Sequence, residues 1–201
     1  MAFFSTTFAE TPPAIEAEGV YLRQPQMSDF PEWAALREKS RSFLEPWEPL
    51  WPADDLTRAA FRRRLKRYVE DQRTDQAYSF LIFRTDDNVL TGGVTLSNVR
   101  RGVAQASSIG YWMGAPYARM GLMTRALRAL IPFSYNNLRL HRLEAACITT
   151  NEASIRLLEK SGFQREGYAR QYLCINGMWQ DHLLYARLRD DPPHLDTSRT
   201  L

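Results

Sequence analysis

Only two cysteines, Cys147 and Cys174, occur in 201 residues. Two are too few for a disulfide framework, and they lack metal-ligand spacing, so no metal is expected. They read as small buried hydrophobes. No apolar run approaches the ~18 residues that a membrane span needs, so no membrane association is expected. The chain start carries Phe3, Phe4 and Phe8 with no basic residue before them and without the long apolar core of a secretory leader. A cytoplasmic protein is therefore expected. Internal repeats and low-complexity stretches are also missing. So are carboxylates over one long interval: none lies between Asp87 and Glu144, while Arg100, Arg101, Arg119, Arg125, Arg128, Arg139, His141 and Arg142 do. A cationic middle suits an anionic ligand, such as a phosphorylated cofactor.

What is present is an ordinary globular composition. Hydrophobic residues make up 44% and charged residues 24%, which excludes a disordered or membrane class. The length fits one domain with a real core. Pro12, Pro13 and the Pro192-Pro193 pair punctuate the ends. The expected organisation is an N-terminal tail over 1–17, one domain over 18–190 and a C-terminal tail over 191–201, with loose tails.

Between those ends, hydropathy alternates between strand and helix periods. Residues 20–23 read as a strand. Asp29 can cap a helix that has Pro31 in its first turn and runs to about Ser40. The segment 42–52 holds three prolines and two tryptophans and reads as an ordered loop. A helix is predicted over 57–71, from Ala60, Phe61, Leu65, Tyr68 and Val69. Strands over 78–84 and 89–98 are joined by Asp86-Asp87-Asn88, a hairpin signal. A further strand, 104–113, ends at Gly114-Ala115-Pro116. A helix over 121–137 contains Pro132, which should kink or shorten it. A strand over 143–149 precedes a helix over 152–160 that Gly162 closes. Asn176-Gly177 makes a hairpin of 168–188. The sum is an α/β chain with a mixed sheet and helices on its faces.

The chemistry concentrates in two places. Tyr111-Trp112-Met113-Gly114-Ala115-Pro116-Tyr117-Ala118-Arg119-Met120-Gly121-Leu122-Met123-Thr124 runs from a strand through a turn into a helix start. Such a turn offers unpaired backbone N–H groups to an anion. Gly121 lets a phosphate come close, and Arg119 adds charge. The second place is Asn151-Glu152-Ala153-Ser154-Ile155-Arg156-Leu157-Leu158-Glu159-Lys160-Ser161-Gly162-Phe163.

Together these resemble the GNAT N-acetyltransferase superfamily, whose signature is N-x-x-S-x-x-L-x-E-K-x-G-F. Three further pieces resemble the ribosomal-protein-alanine acetyltransferases, most of all the RimJ type. They are Phe43-Leu44-Glu45-Pro46-Trp47-Glu48-Pro49, the stretch from Leu96 to Gly102, and Glu166-Gly167-Tyr168 with Asn176-Gly177-Met178-Trp179-Gln180-Asp181-His182. The resemblance covers about 20–188. It implies a GNAT fold: a mixed, mostly antiparallel sheet with one splayed parallel pair, strands 104–113 and 143–149, and helices on both faces.

It also implies acetyl-CoA as cosubstrate, held in that splay. Backbone near Met113 would polarise the thioester carbonyl. The N–H groups of Arg119, Met120, Gly121, Met123 and Thr124 would hold the pyrophosphate. Asn151 would lie near the pantetheine arm. Departures matter here. Ala118 stands where Gln or Arg is common. Leu158 replaces the usual catalytic tyrosine, and the resemblance to the Rim type, where a serine at this place is assigned the role, makes Ser154 the candidate acid; its alternative is a helix-internal serine bonded to backbone. Leu173 stands where a related enzyme keeps a glutamate base. Glu45 or Glu48, and beyond them Glu144 or Asp181, would have to act as base through water. Trp47 would help the 43–49 loop read the acceptor.

An α-amine with pKa ~8 is already ~10% neutral at pH 7, whereas a lysine is only ~0.04% neutral. A site without a strong base therefore suits an N-terminal α-amine, and the resemblance implies that this is the N-terminal alanine of a small-subunit ribosomal protein. Two alternatives stay open. One is a GNAT for a small amine (a polyamine, an amino acid or an antibiotic). The other is a ribosome-assembly factor using the basic cluster Arg58, Arg62, Arg63, Arg64, Lys66 and Arg67 to contact RNA, a cluster that otherwise reads as a solvated helix face.

Overall fold

A computed structural model describes residues 15–192. The expectation of loose tails falls on residues outside that range, apart from one correction. Ile15–Ala17 forms a strand, β1, so the sheet begins inside the segment read as tail. Gly19, in the left-handed region at φ 74°, turns β1 back on β2, Val20–Arg23. Ile15 and Ala17 pack on the main core, which is what holds so short a strand.

After β2 come α1 (Phe30–Lys39), α2 (Arg41–Leu44), α3 (Arg58–Arg73), β3 (Tyr78–Arg84), β4 (Leu90–Arg100), β5 (Ala106–Met113), α4 (Leu122–Asn136), β6 (Arg142–Ile148), α5 (Glu152–Lys160), β7 (Gln164–Ile175) and β8 (Met178–Leu188). The eight strands lie in the order β1-β2-β3-β4-β5-β6-β8-β7. All neighbours are antiparallel except β5 and β6. The Asn176-Gly177 turn joins β7 to β8 with both residues at positive φ, as that dipeptide favours.

Alternation sorts side chains to two faces. Phe80 and Ile82 of β3 join the core made with α4 and α5, around Leu127, Leu130 and Leu158. Leu81 and Phe83 join a second cluster with Trp33 and Leu36 of α1 and Phe61 of α3. Fully burying each such side chain is worth about 1.5–3 kcal/mol.

Two local readings need revision, and of a third, that Pro132 kinks or shortens its helix, the shortening is not found. Asp29 precedes α1 without capping it; its carboxylate instead takes both Arg23 guanidinium nitrogens and the Gln26 N–H. The 42–52 segment is not all loop, since α2 is followed by a 3-10 turn, Glu45–Trp47. Pro46 sits in the first turn, where a missing N–H costs nothing. Finally, α4 runs through Pro132 to Asn136. Its buried face, with Leu122, Ala126, Leu127, Leu130 and Ile131, offsets the roughly 3 kcal/mol that an interior proline costs.

Candidate active site

β5 and β6 pair only at Ala106↔Arg142, Ser107↔Leu143 and Ser108↔Glu144. Beyond these the strands part, although β5 stays paired to β4 and β6 to β8. The inner edges of the two arms therefore offer backbone donors and acceptors without a strand partner. Met113 closes the β5 arm, opposite Gly92 of β4.

The β5 arm leads to the start of α4. Arg119 (φ 63°) and Gly121 (φ 74°) are both left-handed, and Met120 between them is half exposed. No side chain caps α4, and no acidic residue stands in its first turn. Leu122 and Met123 send their side chains into the core, and Thr124 is half buried, so the turn presents mainly N–H groups. A methyl group added at Gly121 would meet nothing within 4 Å, so the space above it is open. This uncapped helix start has the right chemistry for a pyrophosphate.

α5 begins beside the gap. Asn151 accepts the Ser154 N–H at 3.1 Å through its side-chain oxygen, a helix cap. That leaves its side-chain amide nitrogen, and the second lone pair of the oxygen, for a cosubstrate. The Ser154 hydroxyl lies 2.6 Å from the Tyr111 hydroxyl of β5. Burial pushes the Tyr111 phenol well above its ordinary range, against a smaller opposing effect of Ser154. Burial likewise pushes the Cys147 thiol of β6 up to about 11. Tyr111 and Cys147 were not singled out as functional in the sequence, because an aromatic and a cysteine on strands look like core.

On the opposite face, a cavity of about 290 Å³ lies between the sheet and the α1–α3 layer. Trp33, Phe61 and Trp112 supply apolar wall, Ser79 and Thr95 supply hydroxyls, and Gly93 and Gly110 supply bare strand. Glu48 lines it too, fully engaged: Arg37 donates to both its oxygens at 2.7 Å, and Trp51 Nε1 donates at 2.8 Å. The Arg37 guanidinium, 8% exposed, lies 4.1 Å from the Trp51 ring and 5.0 Å from the Trp112 ring. The Glu48 carbonyl accepts the Asn176 N–H, tying this loop to the β7–β8 turn. Of the other loop residues expected at the site, Glu45 is 42% exposed and 3.6 Å from Arg41, and Trp47 is 38% exposed. Neither lines the cavity.

The cationic cluster on α3 divides. Arg63 pairs with Asp54, Arg64 with Asp55 and Arg73 with Glu70, while Arg58, Arg62 and Lys66 stand exposed. Among the described residues no helix is long and apolar enough to cross a membrane, and no group of His, Cys, Asp and Glu clusters as a metal site.

A splayed parallel pair, an uncapped α4 turn and an α5 start at the gap define an acetyl-CoA-dependent acyltransferase of the GNAT fold. The chain belongs to that family: residues 20–164 match the Acetyltransferase (GNAT) domain. It is 35% identical over 177 residues to a probable N-acetyltransferase, YjcK, of Bacillus subtilis, covering 88% of this chain and 98% of the relative. It is 35% identical over 153 residues to the [Ribosomal protein uS5]-alanine N-acetyltransferase of Escherichia coli, covering 76% and 79%. Among solved structures, the ribosomal-protein-S5-alanine acetyltransferase of Vibrio fischeri superposes with a TM-score of 0.82 at 32% identity, over 90% of this chain and all of that one. Mycobacterium smegmatis RimJ in complex with CoA-disulfide gives 0.83 at 30% identity, over 90% and 88%. The RimJ/RimL type is thus supported, and the fold expected from the sequence is the one found.

Proposed function

We propose that this enzyme acetylates the N-terminal α-amine of a ribosomal protein, with alanine as first residue and the small subunit as its source. Such an acceptor would place the enzyme in the cytoplasm. The observation that carries this reading is the state of the cavity's one carboxylate. Glu48 is already neutralised by Arg37, and Arg37 and Arg64 also line the wall. A polyamine carrying several positive charges finds no free anion there, whereas a single amine at the end of a peptide needs none. Relatives named for ribosomal-protein alanine point the same way.

In this reading the N–H groups of residues 119–124 and the charge of Arg119 hold the pyrophosphate, and Asn151 and the β5 edge near Met113 line the gap. Bound acetyl-CoA supplies an activated acetyl thioester. The acceptor enters from the cavity side, over Gly110, where an added methyl would meet nothing within 4 Å. Glu48 shapes that entrance rather than taking a proton, and Glu45 and Trp47 sit at its outer rim. Ser154 protonates the departing sulfur. Assays of a short alanine-initiated peptide against spermidine and a lysine peptide test the acceptor. Turnover confined to spermidine would refute it.

A ribosomal setting also gives the exposed cations of α3 a use. Arg58 lies in the first turn of α3, which holds no acid, and Arg62 and Lys66 follow at four-residue spacing. Like charges at that spacing, at the positive end of the dipole, cost stability, which favours a ligand role as an RNA contact. Charge reversal at Arg62 and Lys66 should flatten the salt dependence of binding to a short duplex RNA. Unchanged binding would leave α3 as solvated surface.

A further inference from the structure

We propose that Tyr111 is a positioning residue for the reaction: its phenol donates to the Ser154 oxygen, leaving the serine's own proton to meet the departing sulfur. This rests on Ser154 being the proton donor.

A hydroxyl has one proton and two lone pairs. The Tyr111 and Ser154 oxygens are 2.6 Å apart, so one of the two protons lies between them. If Ser154 donated, its proton would be spent on Tyr111. The phenol proton would then need another acceptor in a half-buried site, and a buried donor left unmade is costly. If Tyr111 donates, its bond is made and the serine proton is free to turn into the gap.

The surroundings fit that direction. Tyr111 stands on β5 and Cys147 on β6, both past Ser108↔Glu144, where the strands have parted. Ser154 reaches Tyr111 from α5. Its place on the helix is fixed by the Asn151 cap, and its hydroxyl goes to Tyr111. Burial keeps the Tyr111 phenol protonated near neutral pH, so it has a proton to donate across the 2.6 Å contact. The other titratable groups close by are Tyr185, Glu159 and Arg165. Glu159 is taken by the Tyr185 hydroxyl at 3.3 Å and does not compete for Ser154.

The proton count closes. Nitrogen bonds to the acetyl carbon as the carbon–sulfur bond breaks. Ser154 gives its proton to the sulfur, on which that bond's electron pair remains. The proton shed by the acceptor nitrogen restores the serine through solvent, and Tyr111 keeps its own throughout.

The test is single-turnover kinetics on an alanine-initiated peptide with Tyr111→Phe, Ser154→Ala and the double variant. Each is run with acetyl-CoA and with its selenoester analogue. Phenylalanine keeps the ring that packs on the core, and circular dichroism checks the fold. Tyr111→Phe should slow the acetyl-CoA reaction about tenfold, below the ~10²–10⁴ of a full general acid. Acetyl-CoA affinity should stay within about twofold of the parent, and adding Tyr111→Phe to Ser154→Ala should cost little more, because the two act as a unit. With the selenoester, whose leaving group needs no proton, both deficits should largely vanish. A slow Ser154→Ala beside a parent-like Tyr111→Phe overturns the positioning role and leaves the donor standing. A parent-like Ser154→Ala overturns both. Multiplicative losses, or deficits that persist with selenium, assign Tyr111 to packing and overturn the proposal.

Discussion

Gly121 holds φ 74° with open space on the side where a side chain would project. Two effects of a substitution there can therefore be separated. Left-handed backbone costs an L-residue about 1–2 kcal/mol, which is a folding effect. Filling the space above the turn is a binding effect. Gly121→Ala should lower the melting temperature by a few degrees and weaken acetyl-CoA binding at least about tenfold by calorimetry, equivalent to roughly 1.4 kcal/mol. Undiminished affinity in the folded variant would move the pyrophosphate elsewhere. The two carboxylates of the acceptor loop make a similar contrast. Glu48→Gln leaves a buried guanidinium uncompensated, and breaking such a pair costs about 3–5 kcal/mol. Glu45 forms an exposed pair worth about 0–1 kcal/mol. Denaturant unfolding should rank the two glutamine variants accordingly. If Glu48 anchors the loop, its variant raises KM without rescue at pH 9. Rescue at pH 9 would restore it as a base.

Elements were legible in the sequence wherever a local signal had a local cause. The Asn176-Gly177 turn, the α5 boundaries and the Gly162 stop came from chemistry within a few residues, and the structure has all three. β1 escaped because three residues give no period, and its stability comes from packing on α4. The Glu48 engagement escaped because Arg37 and Trp51 lie on different elements, and nothing in 43–49 names them. The Tyr111–Ser154 contact joins residues 43 apart in sequence. Asn151 shows both sides of this. The motif marked it for a cosubstrate, and the structure gives it a cap as well. Asn151→Ala should cost about 1 kcal/mol of stability, as cap losses do, and Asn151→Asp should recover it. If the amide nitrogen also touches the cosubstrate, Asp will not recover acetyl-CoA affinity. Full recovery of both would reduce Asn151 to a cap.

At the scale of the whole molecule, two half-sites meet through one sheet. In the proposed reading the cosubstrate side belongs to the α4–α5 face, the acceptor side to the α1–α3 face, and the splay where β5 and β6 part would be the passage between them. Among the described residues Glu48 is the only carboxylate lining the proposed acceptor cavity, and it is committed to Arg37, so the pH dependence should come from the acceptor itself. An α-amine with pKa ~8 goes from ~1% neutral at pH 6 to ~90% at pH 9. For an alanine-initiated peptide, kcat/KM should therefore rise about tenfold per pH unit below 8 and level off near 9. The plateau should persist toward pH 10, because burial raises both the Tyr111 phenol and the Cys147 thiol and keeps them mainly protonated there. A lysine side chain, with pKa ~10.4, would still be climbing at pH 10. Measuring both acceptors from pH 6 to 10 distinguishes the cases. A plateau near 9 fits an α-amine presented to a site without its own base. A profile that levels near pH 6 or 7 would mean that an enzymic base, not yet located, takes the proton. A preference for the lysine acceptor would remove the N-terminal reading.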